Sequence, residues 1–221
     1  MLVVASIVLL LSTTFAADDA SKGPLKVFVL AGQSNMEGAG TIALDPKRND
    51  GKGSLEYLVK DPATAKRFKH LMDSDGKWAV RNDVWIWYLG RGYKIVGFGW
   101  HQGWNDRVNQ AANDAYEQNM ANFIRDARKE LGIEKLPFVI AETGMSGHSE
   151  THPRALSLMR AQAAVAEHDE FRGNVAFVGT KDFYRPAEVS PSRQAYHWNS
   201  NAETYYLIGA AMGEAMKKLR E

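Results

Sequence analysis

The chain has 221 residues, 45% of them hydrophobic, which suits one α/β domain with a full core. Its formal net charge of +1 gives no reason to expect nucleic acid or an anionic membrane as a partner. The absence of cysteine excludes a disulfide framework and a thiolate metal site.

An uncharged apolar run covers residues 2–15 and ends at Ala16. It is shorter than the roughly 20 residues that a membrane-spanning helix needs. The small residues around Ala16 are typical of a signal-peptide cleavage site. We therefore predict a signal peptide at residues 1–16, a single domain at residues 24–221, and a secreted or periplasmic protein. No basic residue precedes the apolar run, so a membrane-anchored form stays open as an alternative.

The first half of the domain contains three apolar runs of strand length. Lys26–Ala31 is continuously apolar after its first residue and predicts a strand buried on both faces. Residues 40–82 are polar and predict a surface excursion with one short helix near Pro62–Leu71. Two more strands are predicted at Val84–Leu89 and Tyr93–Phe98.

The second half alternates helices with strands. Apolar residues at helical spacing predict one amphipathic helix over Arg107–Leu131, ended by Gly132. The other predicted elements are a strand at Leu136–Ala141, a helix from Pro153 to about Glu167, a strand at Asn174–Gly179, and a helix over Asn201–Leu219 whose capping box is Ser200–Glu203. This alternation predicts an α/β fold with three α/β/α layers and a mainly parallel sheet. A site is then expected beyond the carboxyl ends of the strands.

Residues suited to acyl transfer follow these strand ends. Ser34 comes directly after the first strand, where it is either a nucleophile or a helix cap. Gln102 and Asn105 follow the strand at Tyr93–Phe98, and their amide groups can donate to an oxyanion. Asn105 can also simply cap the next helix. His197 precedes the last helix, and a neutral imidazole there can accept a serine proton.

Together these segments resemble the SGNH hydrolases, in the branch of sialate O-acetylesterases and carbohydrate acetylesterases. Gly32–Met36, with the sequence Gly-Gln-Ser-Asn-Met, resembles the first block of that superfamily. Gly103–Asp106 resembles its Gly-x-Asn-Asp block and lies in a Trp-x-Gln-Gly context. His197, ahead of Leu207–Gly209, resembles the histidine of the fifth block. The resemblance implies an SGNH, flavodoxin-like fold and a serine esterase that removes acetyl groups from sialic acid or other carbohydrate esters.

The resemblance also implies residue roles. Ser34 would be the nucleophile and His197 the general base, and the Ser34 amide with Gln102 or Asn105 would hold the oxyanion. The partner would be an acetylated carbohydrate, and no metal or cofactor is implied. The side chains expected to contact this substrate are those of Gln33, Trp104 and Glu142.

The position three residues before the histidine departs from the family pattern. The family has an aspartate there that orients the imidazole, and this chain has Gln194. Asp182 is the predicted substitute, because it follows the strand that ends at Gly179. Glu203 and a backbone carbonyl stay open as alternatives.

The junction at residues 90–92 is the second departure. Three residues are too few for a parallel crossover between Val84–Leu89 and Tyr93–Phe98, which needs about a dozen. Compared with the family, the chain therefore lacks one βα unit and the oxyanion glycine that this unit carries. We expect an exposed sheet edge and an underfilled core. An impaired or inactive carbohydrate-binding relative is the alternative function, and a lipid hydrolase on the same fold is a weaker one.

Overall fold

A computed structural model describes residues 24–81 and 93–221 of the protein. The predicted signal peptide and the predicted strand at Val84–Leu89 lie outside these ranges. The strands are β1 Leu25–Gly32, β2 Tyr93–His101, β3 Phe138–Ala141 and β4 Val175–Val178. The α-helices are α1 Ser34–Glu37, α2 Leu55–Leu58, α3 Ala65–Phe68, α4 Trp104–Val108, α5 Gln110–Asp114, α6 Tyr116–Leu131, α7 Pro153–Glu167 and α8 Ala202–Lys218. No helix within the described ranges combines the length and apolarity needed to cross a bilayer.

The four described strands form one parallel sheet in the order β1-β2-β3-β4. Helices α6 and α7 pack on one face, and α8 packs on the other. The predicted three-layer α/β/α architecture with a parallel sheet is therefore confirmed. Because all four strands run the same way, their carboxyl ends form one rim.

The face under α6 and α7 is tightly packed. The ring of Phe138 stacks on that of Phe98 with centroids 4.6 Å apart, and Phe123 meets both rings edge-on. Ile124 and Leu158 complete this core with no exposed surface. Burial of so much aromatic and branched surface is the main stabilising contribution on this side of the sheet.

The strand β1 lies at the edge of the described sheet. The prediction that it is buried on both faces was wrong, since Phe28 and Leu30 are 44% and 68% exposed. Beside them an apolar groove of about 770 Å³ runs between β1 and α8. Its floor and far wall include Val139, Ile208, Met212 and Met216. Within the described ranges, β1 thus has an exposed edge beside an open groove, while the junction at residues 90–92 lies outside these ranges.

The predicted single helix over Arg107–Leu131 was wrong, because the chain there forms α4, α5 and α6. The break falls at Asn109, which has extended backbone angles, φ −114° and ψ 119°. Its side-chain oxygen accepts the Ala112 N–H at 3.0 Å and so caps α5. An asparagine that offers this bond competes with helix continuation. The end of α6 is as predicted, at Gly132 in the left-handed conformation, φ 65°.

The start of α8 also differs from the prediction. The N-cap is Asn201 rather than Ser200, since the Asn201 side chain accepts the Thr204 N–H at 3.3 Å. Glu203 is not part of a capping box. Its carboxylate pairs with Arg67 and Arg185, which ties the helix to two preceding segments.

Candidate active site

The turn after β1 rests directly on the end of β2. Gly32 is paired in register with His101, and the Gln33 N–H donates to the His101 carbonyl at 3.3 Å. A Cβ atom on Gly32 would lie 2.2 Å from that carbonyl oxygen, so only glycine fits. Helix α1 begins at the next position, Ser34, whose N–H has no acceptor within its own helix. The fold thereby places a serine and free amides at the rim.

Ser34 and His197 come together across 163 positions of sequence. The Nε2 atom of His197 lies 2.9 Å from the Oγ atom of Ser34, which is a hydrogen-bonding distance. Ser34 is exposed and His197 is half-buried, so a substrate can reach the pair from solvent. The geometry is that of a serine hydroxyl facing a potential general base.

The loop that carries the histidine has an unusual backbone. Three consecutive residues after it, Trp198, Asn199 and Ser200, have φ values of 51°, 54° and 56°. Each such non-glycine residue costs on the order of 1–3 kcal/mol, and the surroundings must compensate. The Gln194 carbonyl accepts the His197 N–H at 2.8 Å and the Asn199 N–H at 3.0 Å, and Trp198 is fully buried below.

Two side chains that sequence reasoning missed connect this loop to the serine turn. Asn35 is buried and donates Nδ2 to the Tyr196 carbonyl at 3.0 Å. The Tyr205 hydroxyl, from α8, donates to Asn35 Oδ1 at 2.7 Å and lies 3.2 Å from the His197 carbonyl oxygen. Burial raises the pKa of Tyr205, which keeps it a protonated donor. Asn35 belongs to the motif around Ser34, but nothing in its spacing indicated these contacts.

The predicted oxyanion residues lie at the exit of β2. Gly103 fits here because a Cβ atom would meet Thr143 Cγ2 at 2.6 Å. Gln102 donates Nε2 to Asp106 Oδ2 at 2.5 Å, and Asn105 is exposed in α4. Within the described ranges neither amide is hydrogen-bonded to Ser34. They share its rim, because β1 and β2 are paired in parallel.

The two candidate acids for orienting His197 are engaged elsewhere. Asp182 Oδ1 lies 2.6 Å from His148 Nε2, in a pair that is strongly exposed. Glu203 is held by Arg67 and Arg185, as described above. Among the carboxylates of residues 24–81 and 93–221, none is hydrogen-bonded to His197.

Two aromatic rings beside the Ser34–His197 pair form what we call the aromatic shelf, Trp104 and Tyr196. Their centroids are 5.6 Å apart, and the Tyr196 ring is 4.5 Å from the imidazole of His197. The Arg107 guanidinium lies 4.7 Å over the Trp104 ring and also pairs with Glu150 at 3.4 Å. The sequence singled out Trp104 but not Tyr196, which is 40% exposed.

The other two predicted substrate contacts are turned inward. Glu142 is only 5% exposed, and its Oε2 accepts the Thr180 N–H at 2.8 Å. Its Oε1 lies 3.5 Å from the Lys181 ammonium, so the carboxylate joins the ends of β3 and β4. The Oε1 atom of Gln33 is also buried and has no partner among the described residues.

His101 is a buried histidine below the rim. Burial lowers its pKa from 6.5 to about 4, and a hydrogen bond to the Glu142 backbone opposes that shift in part. Its ring centroid is 6.3 Å from that of Trp198, under the histidine loop. The side chain is therefore neutral at physiological pH.

Comparison with known proteins gives a family and a weak structural likeness. The family described as carbohydrate esterase, sialic acid-specific acetylesterase, matches residues 88–218. None of the curated proteins compared with the chain matches it. An X-ray structure of an Arabidopsis thaliana protein is similar at 14% identity and a TM-score of 0.46, covering 86% of this chain and 99% of its own. That likeness is too weak to add to the family match.

Proposed function

We propose that this chain, which belongs to the sialic acid-specific acetylesterase family of carbohydrate esterases, hydrolyses acetyl esters of sialic acid or other sugars at Ser34. One observation carries the proposal, the 2.9 Å contact between Ser34 Oγ and His197 Nε2. A serine at the carboxyl end of a parallel strand, with a histidine in reach, is an arrangement suited to nucleophilic acyl transfer.

In the first half-reaction the serine hydroxyl attacks the ester. The neutral His197 accepts the Oγ proton at Nε2 while Oγ bonds to the acetyl carbonyl carbon. The bond from that carbon to the sugar oxygen then breaks, and the sugar oxygen takes the proton from Nε2. The products of this step are a free sugar hydroxyl and an acetyl group on Ser34.

The second half-reaction repeats the pattern with water. His197 takes a proton from a water molecule, and the water oxygen attacks the acetyl carbonyl. The bond to Oγ then breaks, Ser34 recovers the proton from His197, and the product leaves as acetic acid, which ionises to acetate by releasing its own proton to solvent. In both halves a tetrahedral oxyanion forms, which the Ser34 N–H with Gln102 or Asn105 would stabilise. Loss of one such donor typically lowers kcat by about 10²–10³-fold.

The surroundings of Ser34 support a sugar as the alcohol part of the substrate. The aromatic shelf offers ring faces on which a sugar can stack at the open side of His197. Gln33 contributes no substrate contact in this proposal, because its side-chain carbonyl oxygen is buried. Glu142 would act indirectly, by holding the Thr180 N–H and the Lys181 ammonium at the carboxyl ends of β3 and β4.

The lack of an acid bonded to His197 among the described residues favours a second candidate. A protein of this kind that retains the cleft but turns over poorly would serve as a carbohydrate-binding module. The proposed enzyme needs a correctly oriented imidazole. Either Asp182 would have to leave His148 and orient the ring, or a neutral group would have to orient it.

A fluorophosphonate probe separates the two candidates. The probe forms an adduct only with an activated serine, and mass spectrometry locates the adduct. We expect labelling of the wild-type protein at Ser34 and hydrolysis of an acetylated sugar. Ser34→Ala abolishes labelling and His197→Gln lowers its rate by about 10³-fold or more, because without the base the hydroxyl is a weak nucleophile.

Matched controls make the result specific. Ser74→Ala changes an exposed serine, and His168→Gln changes a histidine that pairs with Glu117 away from the rim. Both are expected to label as the wild type does. A folded wild-type protein that is not labelled but binds acetylated sugars would establish the binding module instead.

A further inference from the structure

We propose that Asn35 and Tyr205 form a clasp that positions His197 against Ser34, and that the reaction rate depends on it. This inference rests on the function proposed above. The clasp replaces, through neutral hydrogen bonds to the backbone, part of the orienting work that a carboxylate usually does for a catalytic histidine.

The geometry of the clasp joins the two halves of the catalytic pair. Asn35 is the residue next to Ser34, and its Nδ2 holds the Tyr196 carbonyl, one residue before His197, at 3.0 Å. Tyr205 then bonds to Asn35 Oδ1 at 2.7 Å and approaches the His197 carbonyl oxygen at 3.2 Å. A displacement of either contact therefore changes the distance between hydroxyl and imidazole directly.

The loop needs an external restraint of this kind. Residues 198–200 are in the left-handed region, where ordinary side chains are disfavoured, so the loop relaxes if its contacts are lost. The Gln194 carbonyl fixes the loop internally, through the N–H groups of His197 and Asn199. Those internal bonds do not locate the loop relative to Ser34, whereas the contacts of Asn35 do.

The two residues of the clasp are shielded in part from solvent. Asn35 is 8% exposed, and Tyr205 is a donor that burial keeps protonated. The hydrogen bonds of both residues are partly buried, so water competes with them less than at the surface, and loss of the Tyr205 hydroxyl removes a partner of the buried Asn35. We therefore class both as positioning residues rather than as groups that touch the substrate.

The test disrupts the clasp at each of its two residues and uses the neighbouring tyrosine as the control. Tyr205→Phe and Asn35→Ala are measured beside Tyr206→Phe, which removes the hydroxyl of a ring that packs on Phe68. We expect the two clasp variants to lose about 10- to 100-fold in kcat on an acetylated sugar, with KM changed by less than about two-fold. The rate of fluorophosphonate labelling at Ser34 falls in parallel, and Tyr206→Phe behaves as the wild type.

Hydrogen exchange provides a readout that does not need activity. In Tyr205→Phe the backbone amides of residues 194–201 exchange faster than in Tyr206→Phe, because the loop opens more often. A Tyr205→Phe variant with wild-type kcat, or with a change in KM alone, overturns the clasp. If the wild-type protein itself neither labels nor hydrolyses, the proposed function fails, and unchanged exchange in Tyr205→Phe would then overturn the clasp as well.

Discussion

The two faces of the sheet differ in how completely they are covered. On the α6 and α7 face, aromatic and branched side chains such as Phe138 and Leu158 are fully buried. On the α8 face, methionines line an apolar groove, and Leu30 is mostly exposed at the edge. The same strands thus have a finished core on one side and an unfinished one on the other.

The difference shows that the packing of the sheet faces and the placement of Ser34 and His197 depend on different parts of the molecule. Near β1 the described residues of the α8 face leave an open groove, while the rim at the strand ends keeps Ser34 beside His197. The rim is held by local contacts at the strand exits, such as the close approach of Gly32 to His101. The contact between Ser34 and His197 therefore coexists with an open groove among the described residues below it. Four predictions test this contrast.

The largest expected effect is on the finished face. Phe138→Ala removes a fully buried ring that stacks on Phe98 and should lower the free energy of unfolding by about 3–5 kcal/mol. Urea denaturation followed by circular dichroism measures the change. A loss below about 1 kcal/mol would mean that this face is packed no better than the other.

The second effect concerns His101, which lies on the groove side of β2. Its folded pKa of about 4 is below the unfolded value of 6.5. Between these pH values the unfolded chain binds a proton that the folded chain does not, so stability is full above pH 6.5 and falls as the pH drops towards 4. The loss amounts to roughly 3 kcal/mol at most.

Chemical denaturation at pH 7, 6, 5 and 4.5 measures this pH dependence. His101→Gln should flatten the profile relative to the wild type. His70→Gln, at an exposed histidine, is the matched control for replacing a histidine. Parallel profiles for wild type and His101→Gln would show that burial of His101 does not govern acid stability.

A third effect should stabilise the unfinished face. Gly213 lies inside α8 and lines the groove, and a Cβ atom there meets nothing within 4 Å. Gly213→Ala should therefore raise the free energy of unfolding by about 0.5–1 kcal/mol. Gly132→Ala is the opposite control, since Gly132 has φ 65° and alanine is strained there. Destabilisation by Gly213→Ala would mean that the groove side of α8 has no free space.

The smallest effect is expected at the open edge. Leu30→Ala should change the free energy of unfolding by no more than about 0.5 kcal/mol, since this side chain is mostly in solvent. The same denaturation assay checks it. A loss near that of Phe138→Ala would show that the edge is covered in solution.

The sequence predicted the elements whose ends are fixed by local chemistry. Pro153 and Gly132 mark a helix start and a helix end that the structure reproduces. The break at Asn109 was missed, because the same residue fits an amphipathic pattern and a cap equally well. Burial of β1 was mispredicted. An apolar run indicates that a strand is suited to burial, but it does not show whether other elements pack against both of its faces.

The two side chains of the candidate pair could be predicted from the sequence. Motif order pointed to Ser34 and His197, and the structure brings them together. Asn35 and Tyr205 could not be found in this way, because their contacts are to backbone carbonyls of a distant loop, which carry no sequence pattern. Glu142 was misread as a cleft residue for a similar reason, since its partner is the Thr180 N–H.

The left-handed run at residues 198–200 has a consequence for transplanting this site. A peptide with the sequence of this loop would fold back into right-handed conformations on its own and swing the imidazole away. The position of His197 is thus determined by the residues that surround the loop. A designer who copies the histidine segment into another scaffold must also copy the residues that contact it. Otherwise the imidazole is not held in the orientation seen here.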